Sequence, residues 1–307
     1  MQKATIKIIL VYALACLIWG STWMAIRLGL DSLTPFISVG LRFSFAALFI
    51  LIFMKIKGLK VQMDKLSIKL YMQMAFFSFV IPYGLVYWGE QYIPSGLASV
   101  LFAINPFFVT IFSFFMLSQE KITLYKIIGM IIGFIGIVVI FSEDITNTTA
   151  FFVWGMVAIV LSALLQGWIQ VVMKKHGQYL NSFTMNFYPM LIAGVCMLIL
   201  GFFTENLNYI KFDSKAILSV LYLASFGSMV VFTCWYWLLK RVNVIVLSLI
   251  TFITPVIALI LGIILLKEVF TASDLIGSFL VLVGLMVATL GNVKSLKDIN
   301  FLKKQPA

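Results

Sequence analysis

The sequence predicts an all-α integral membrane protein, with ten transmembrane helices arranged as two inverted five-helix repeats. Three observations carry that prediction. The 307 residues are 63% hydrophobic and 11% charged, whereas a soluble domain is about a quarter charged and near half apolar. Apolar runs of about 20 residues, the length that crosses a hydrocarbon core, recur from end to end. One proline-broken apolar stretch also occurs twice, as INPFFVTIFSFFMLSQE at Ile104–Glu120 and ITPVIALILGIILLKE at Ile253–Glu268.

The runs fall at 6–28, 34–54, 68–89, 95–117, 122–142, 150–173, 181–203, 214–238, 243–266 and 272–291. Barrel strands would alternate polar and apolar residues over about ten positions, and these runs do not. The opening MQKATIKIILVYALAC resembles a signal peptide with a poor lipoprotein box. Its apolar stretch continues past Cys16, long enough to span, so it reads as a retained first helix.

That helix carries WGSTWMAIR at Trp19–Arg27. Gly20, Ser21 and Thr22 admit a close backbone neighbour, and Trp19 and Trp23 flank them. The same step serves helix packing or the wall of a ligand site. Helix two holds Arg42, a full charge well inside a span. Burying it costs at least ~2.5–3.5 kcal/mol on insertion scales, so it must meet a partner or water. The choices are a substrate carboxylate or carbonyls that it braces.

Helix three ends in a polar, aromatic group, Tyr83, Tyr87, Trp88, Glu90 and Gln91. Helix four brings Ser99, Asn105 and Pro106, and helix nine brings Ser248, Thr251, Thr254 and Pro255. A proline removes one backbone donor and frees the carbonyl four residues earlier, here at Phe102 and Thr251. In lipid that carbonyl needs protein or cavity water. Matched mid-span breaks therefore point to hinges at Pro106 and Pro255, with a plain packing kink as the alternative. Pro82 and Pro189 have no such counterparts and read as kinks.

Helix six adds Gln166, Trp168 and Gln170, helix seven Asn186 and Tyr188, and helix eight Trp235, Tyr236 and Trp237. Together these groups describe a neutral, aromatic, hydrogen-bonding cavity suited to an amphipathic metabolite. Helix five has a small-residue stripe at Gly129, Gly133 and Gly136. Helix ten answers with Gly277, Gly284, Ala288 and Gly291. Such stripes pack helices closely, within a monomer or across a homodimer.

Charge placement sets the orientation. With the amino terminus inside, seventeen of the 22 lysines and arginines fall in inner segments and four in outer ones (Arg27, Lys211, Lys215, Lys267). Arg42 remains within a span. This is the positive-inside pattern, and an even helix count returns the carboxyl terminus to the cytoplasm. The net charge of +11 therefore marks the cytoplasmic loops of a membrane-spanning protein, and nucleic acid is not an expected partner.

Aligning the duplicated stretch places Trp88 on Trp237, Pro106 on Pro255, Glu120 on Glu268, Gly129 on Gly277 and Gly136 on Gly284. The repeat unit is five helices. Five is odd, so the second copy enters from the opposite face, as in many secondary transporters. Residues 1–146 form the first repeat, 147–294 the second, and 295–307 a cytoplasmic tail.

Other chemistries lack their residues. Cys16, Cys196 and Cys234 lie in apolar runs without motif spacing, so neither disulfides nor a metal site is expected. The single histidine, His176, sits in a basic loop, and no acid lies at mid-membrane. A lipid- or metabolite-modifying enzyme would need clustered acids, histidines or a nucleophile–base pair. A channel would need a selectivity ring. No cofactor is expected.

At these residues the chain resembles the EamA-like transporters of the drug/metabolite transporter superfamily. The resemblance rests on WGSTW, on LRFSFAAL at Leu41–Leu48, on SGLASVLFAINPFF, on Glu120 and on the glycine-rich fifth helix. The series Pro255, Glu268, Gly277 and Gly284 echoes them. It implies ten helices with both termini inside, and export of amino acids or other small metabolites by alternating access. It also implies a central cavity lined by helices three, four, eight and nine with help from one and six. The second half departs from the first, because no arginine answers Arg42 and WGST becomes LQGW at Leu165–Trp168.

Overall fold

Long apolar segments with no water to satisfy their backbones close their own hydrogen bonds, and helices result. The computed structural model describes residues 2–117, 123–147, 150–181, 184–239, 241–242 and 250–290. Its helices are α1 (Gln2–Leu30), α2 (Pro35–Lys57), α3 (Lys65–Gly89), α4 (Ser95–Met116), α5 (Leu124–Asn147), α6 (Ala150–His176) and α7 (Thr184–Thr204). They continue with α8 (residues 214–239), α9 (Ile250–Leu266, its described part) and α10 (Ala272–Leu290). Among the described residues nine helices are long and apolar enough to cross a bilayer, and α9 is a shorter apolar one. The expected start of helix nine, and Ser248 with it, lies outside the described residues, as does Glu120.

Side chains sort by solvent. Phe43, Tyr87, Phe107 and Met156 are wholly enclosed, whereas Phe115, Val138 and Phe203 point outward. In a bilayer such an apolar exterior is the wetted surface, so the core holds packing and polar groups together.

The two proline breaks differ. Helix α4 is interrupted at Ala103–Ile104, and its second half restarts at Asn105 with Pro106 in the first turn. Pro255 sits inside a continuous helical run, Ile250–Leu261. Three further irregularities were not expected from the sequence, one of them a π-helical turn at Gly262–Leu266 that ends α9. Both α3 and α8 widen into one π-helical turn, at Ala75–Val80 and Ser225–Val230. Pro82 follows the first and supplies a cause, since its ring nitrogen cannot donate to Ser78. The second has no proline; there the Ser228 hydroxyl donates to the Leu223 carbonyl at 3.0 Å.

The small-residue stripes of α5 and α10 face each other within the monomer. A Cβ added at Gly136 would sit 2.6 Å from the Gly277 carbonyl, and one at Gly129 would strike Gly284 and Ala288. Only glycine permits this approach.

Where α1 ends, segments distant in sequence are tied together. Glu205 accepts from the Phe36 and Ile37 amides at 2.9 and 3.2 Å, capping α2. Lys267 adopts a left-handed φ of 53° and turns the chain so that Glu268 caps α4. That carboxylate accepts from the Ser95 and Gly96 amides at 2.7 and 3.1 Å. Both place negative charge on the positive end of a helix dipole. Asp213 accepts from the Ser32 hydroxyl at 2.7 Å. It also caps α8 through the Ala216 amide at 2.9 Å. At the opposite end, Gln62 donates to the Tyr179 carbonyl at 3.1 Å.

Candidate functional site

A cavity of about 440 Å³ lies between the helices, in the size range of small-molecule sites. Its walls follow helical periodicity. From α1 come Trp19, Thr22, Trp23 and Ile26, spaced by three and four along one face. Gly20 makes this face possible, because a Cβ there would meet Ile257 of α9 at 2.6 Å. From α3 come Met74, Ser78, Phe79, Tyr83 and Val86, and from α6 Gln166, Ile169, Gln170 and Met173. The broken α4 adds Ser99, Phe102, Ala103, Asn105 and Pro106. Helix α9 adds Ile250, Thr251, Thr254 and Pro255, and α8 adds Phe232 and Trp235. Beyond the helices the resemblance implied, α2 contributes Arg42 and α7 contributes Met185 and Asn186.

The break in α4 supplies polar architecture. Asn105, at the restart, donates to the Ala163 carbonyl of α6 at 2.7 Å and accepts from Gln170 at 3.2 Å. The Ser99 hydroxyl donates to the Gly96 carbonyl at 2.7 Å. Across the cavity, Trp19 packs on Trp235 and Phe232 with ring centroids 5.2 and 6.2 Å away. Trp23 lies 5.5 Å from Phe102.

Among the described residues of these walls, Arg42 carries the one full charge. It is 3% exposed. It donates to the Tyr87 hydroxyl at 3.3 Å and to the Gly227 carbonyl, in the π-turn of α8, at 3.4 Å. Its guanidinium stands 5.0 Å over the Tyr83 ring and 5.4 Å over Phe43. Among the described residues its Nε has no hydrogen-bond partner and no carboxylate reaches it. The cationic face is thus stabilised by aromatic rings, while hydrogen-bonding capacity remains unused.

Of the residues singled out in the sequence, Trp19, Thr22, Trp23, Arg42, Tyr83, Ser99, Asn105, Pro106, Gln166, Gln170, Asn186, Trp235, Thr251, Thr254 and Pro255 surround the cavity. Others lie elsewhere. Ser21 faces α8 and shares a 2.6 Å hydrogen bond with Tyr222. Tyr87 is enclosed behind Arg42. Trp88 packs on Tyr92 at 5.1 Å and Trp168 on Phe77 at 5.0 Å. Trp237 sits between Lys7 and Arg241, 5.6 and 4.3 Å from its ring. Sequence reasoning missed Ser78, Phe102 and the methionines Met74, Met173 and Met185. Phe102 had a signal, being the residue whose carbonyl Pro106 frees; the methionines had only periodicity.

The family model of EamA-like transporters matches residues 6–142 and again 153–290, almost the whole chain. The chain belongs to the EamA-like transporter family. This family member is 29% identical to the transporter YoaV of Bacillus subtilis over 92% of its own length and 97% of that protein's. It is 32% identical to Protein PagO of Salmonella typhimurium, covering 84% of each chain. It is also 27% identical to the inner membrane transporter YedA of Escherichia coli, over 80% of this chain and 78% of that one. A crystal structure superposes with a TM-score of 0.67 at 18% identity, covering 94% of this chain and 99% of that one; this likeness shows the fold. The EamA-like chain is therefore a multi-pass membrane transporter, in contact with the bilayer and with a small-molecule substrate.

Proposed function

We propose that this EamA-like protein is a secondary transporter, an exporter of small organic metabolites such as amino acids, working by alternating access across the bacterial cytoplasmic membrane. The observation that carries the reading is Arg42, a buried guanidinium in the cavity wall with an unpaired Nε. An anionic group on a substrate satisfies it, while Trp19, Trp23, Phe102 and Tyr83 cover an apolar body. Substrate contacts are assigned to the cavity-facing members of the sequence set. Pro106 and Pro255 serve as hinges.

Two inverted repeats supply the rocking halves. The double match of one family model at 6–142 and 153–290 supports this division. So does the placement of two repeat-equivalent tryptophans. Next to Trp88, the Glu90 carbonyl accepts from Arg27, near the end of α1. Trp237 lies under Lys7, near its start. These contacts at opposite ends of α1 support an inverted arrangement of the two halves. Both termini are assigned to the cytoplasm by the basic residues, and the Arg27 end faces outward.

The test is export from cells with and without the gene, read by profiling extracellular metabolites. Accumulation of a carboxylated, partly apolar metabolite only with the wild-type gene supports the reading. Profiles that coincide overturn it.

A further inference from the structure

Glu90 follows the last residue of α3 and lies one turn beyond Val86, a residue of the cavity wall. Its side chain is wholly buried, and neither carboxyl oxygen has a hydrogen-bond partner among the described residues. The nearby cation does not serve it. Arg27, from α1, donates to the main-chain carbonyls of Glu90 and Gln91 at 2.6 and 3.0 Å. Arg42, from α2, is engaged with Tyr87 and Gly227. Glu268, from the turn after α9, bonds the α4 amides and adds a second negative charge. Helix α6 approaches at Gly89 with Gly155 and Ile159, both apolar.

An ionised carboxylate sealed from water without donors is strongly disfavoured, and such a group takes a proton instead. Burial first, and then the Glu268 charge, hold the Glu90 carboxyl well above the usual carboxylate range, with Arg27 and Arg42 pulling the other way. The site also lies where movement is required. Arg27 fastens the 89–95 turn to α1, and Glu268 fastens the start of α4, so opening this end of the bundle separates the elements that bury Glu90.

We infer that Glu90 is a proton-binding site which must be filled for the Arg27 end of the bundle to close. Closing takes one proton from water on that side and forms the neutral carboxylic acid; opening hydrates the group and returns the proton. High pH on that side therefore favours the open state and low pH the closed one. The proton on Glu90 stands independently of the transport reading, whereas the opening step rests on alternating access.

Two measurements on the full chain in lipid nanodiscs test this. In infrared spectra at neutral pH, the wild type shows a protonated-carboxyl C=O band, lost in Glu90→Gln and shifted in Glu90→Asp. A band unchanged in both variants overturns the proton site, and Glu90→Asp carries this arm alone should the amide fail to fold. Amide hydrogen exchange over residues 88–96 is then compared with Glu90→Gln, which mimics the filled site and cancels the intrinsic pH effect. The wild-type to variant ratio rises with alkalinity, approaching about tenfold per pH unit above the titration midpoint for one linked proton. A ratio that stays flat, with the infrared band confirmed, overturns the gating step and leaves the proton site standing.

Discussion

The Arg42 guanidinium reaches the Tyr87 hydroxyl at 3.3 Å and lies 5.0 Å over the Tyr83 ring. Both tyrosines come from α3, so a cation on α2 is held against the cavity by its neighbour's aromatic face. The bracing and substrate-binding roles open in the sequence are therefore compatible: Nη atoms brace while Nε stays free.

Arg42→Ala is expected to weaken binding of a carboxylated substrate by about 10- to 100-fold, the worth of a charged hydrogen bond of ~1.5–3 kcal/mol. Arg42→Lys keeps the charge but loses the planar fork, and falls between. Binding of each variant to the substrate found by export profiling, read by thermal shift, checks this. Equal affinity would leave Arg42 a brace only.

Pro106→Ala restores a donor where α4 is interrupted at Ala103–Ile104. Transport should fall at unchanged membrane levels, while thermal stability holds within about 1 kcal/mol. Pro255 sits within a continuous helix, so Pro255→Ala should impair transport less. Initial export rates normalised to protein in the membrane decide between them.

The tryptophans divide by the direction they face. Trp19→Ala and Trp23→Ala remove cavity wall and should weaken substrate binding by roughly 1–3 kcal/mol, the scale of a lost apolar contact. Trp168→Phe leaves the same face of α6 in place, because Trp168 packs on Phe77 instead. Its apparent affinity should match the wild type in a direct binding assay.

Gly129→Val sets a branched side chain against Gly284 and Ala288 of α10. Overpacking of this kind costs about 1–3 kcal/mol or more, since backbone must move. A lowered melting temperature and reduced membrane yield are expected. The control is Gly58→Ala: a Cβ there meets nothing within 4 Å, although its φ of 62° adds modest strain.

Much of this architecture was legible because lipid leaves the backbone few choices. Span lengths follow from membrane thickness, and the α4 break follows from one missing donor at Pro106. The wall residues were legible in part. Positions 166, 169, 170 and 173 share one face of α6, and that spacing alone turns Trp168 away. The same rule on α1 keeps Trp19, Thr22, Trp23 and Ile26 together and rotates Ser21 toward Tyr222. What stayed hidden depends on tertiary partners. The π-turn at Ser225–Val230 has no proline to announce it. The caps from Glu205 and Glu268 join segments about 170 residues apart. Local sequence carries no trace of such pairings.

The central claim is that equivalent elements of the two halves face opposite sides of the membrane, so that one cavity can open alternately to each. The most direct measurement fuses a two-state topology reporter after residue 147, between the halves, and at each terminus. The account predicts both termini reporting cytoplasmic and the mid-chain fusion reporting the far side. All three reporting the same compartment would contradict it.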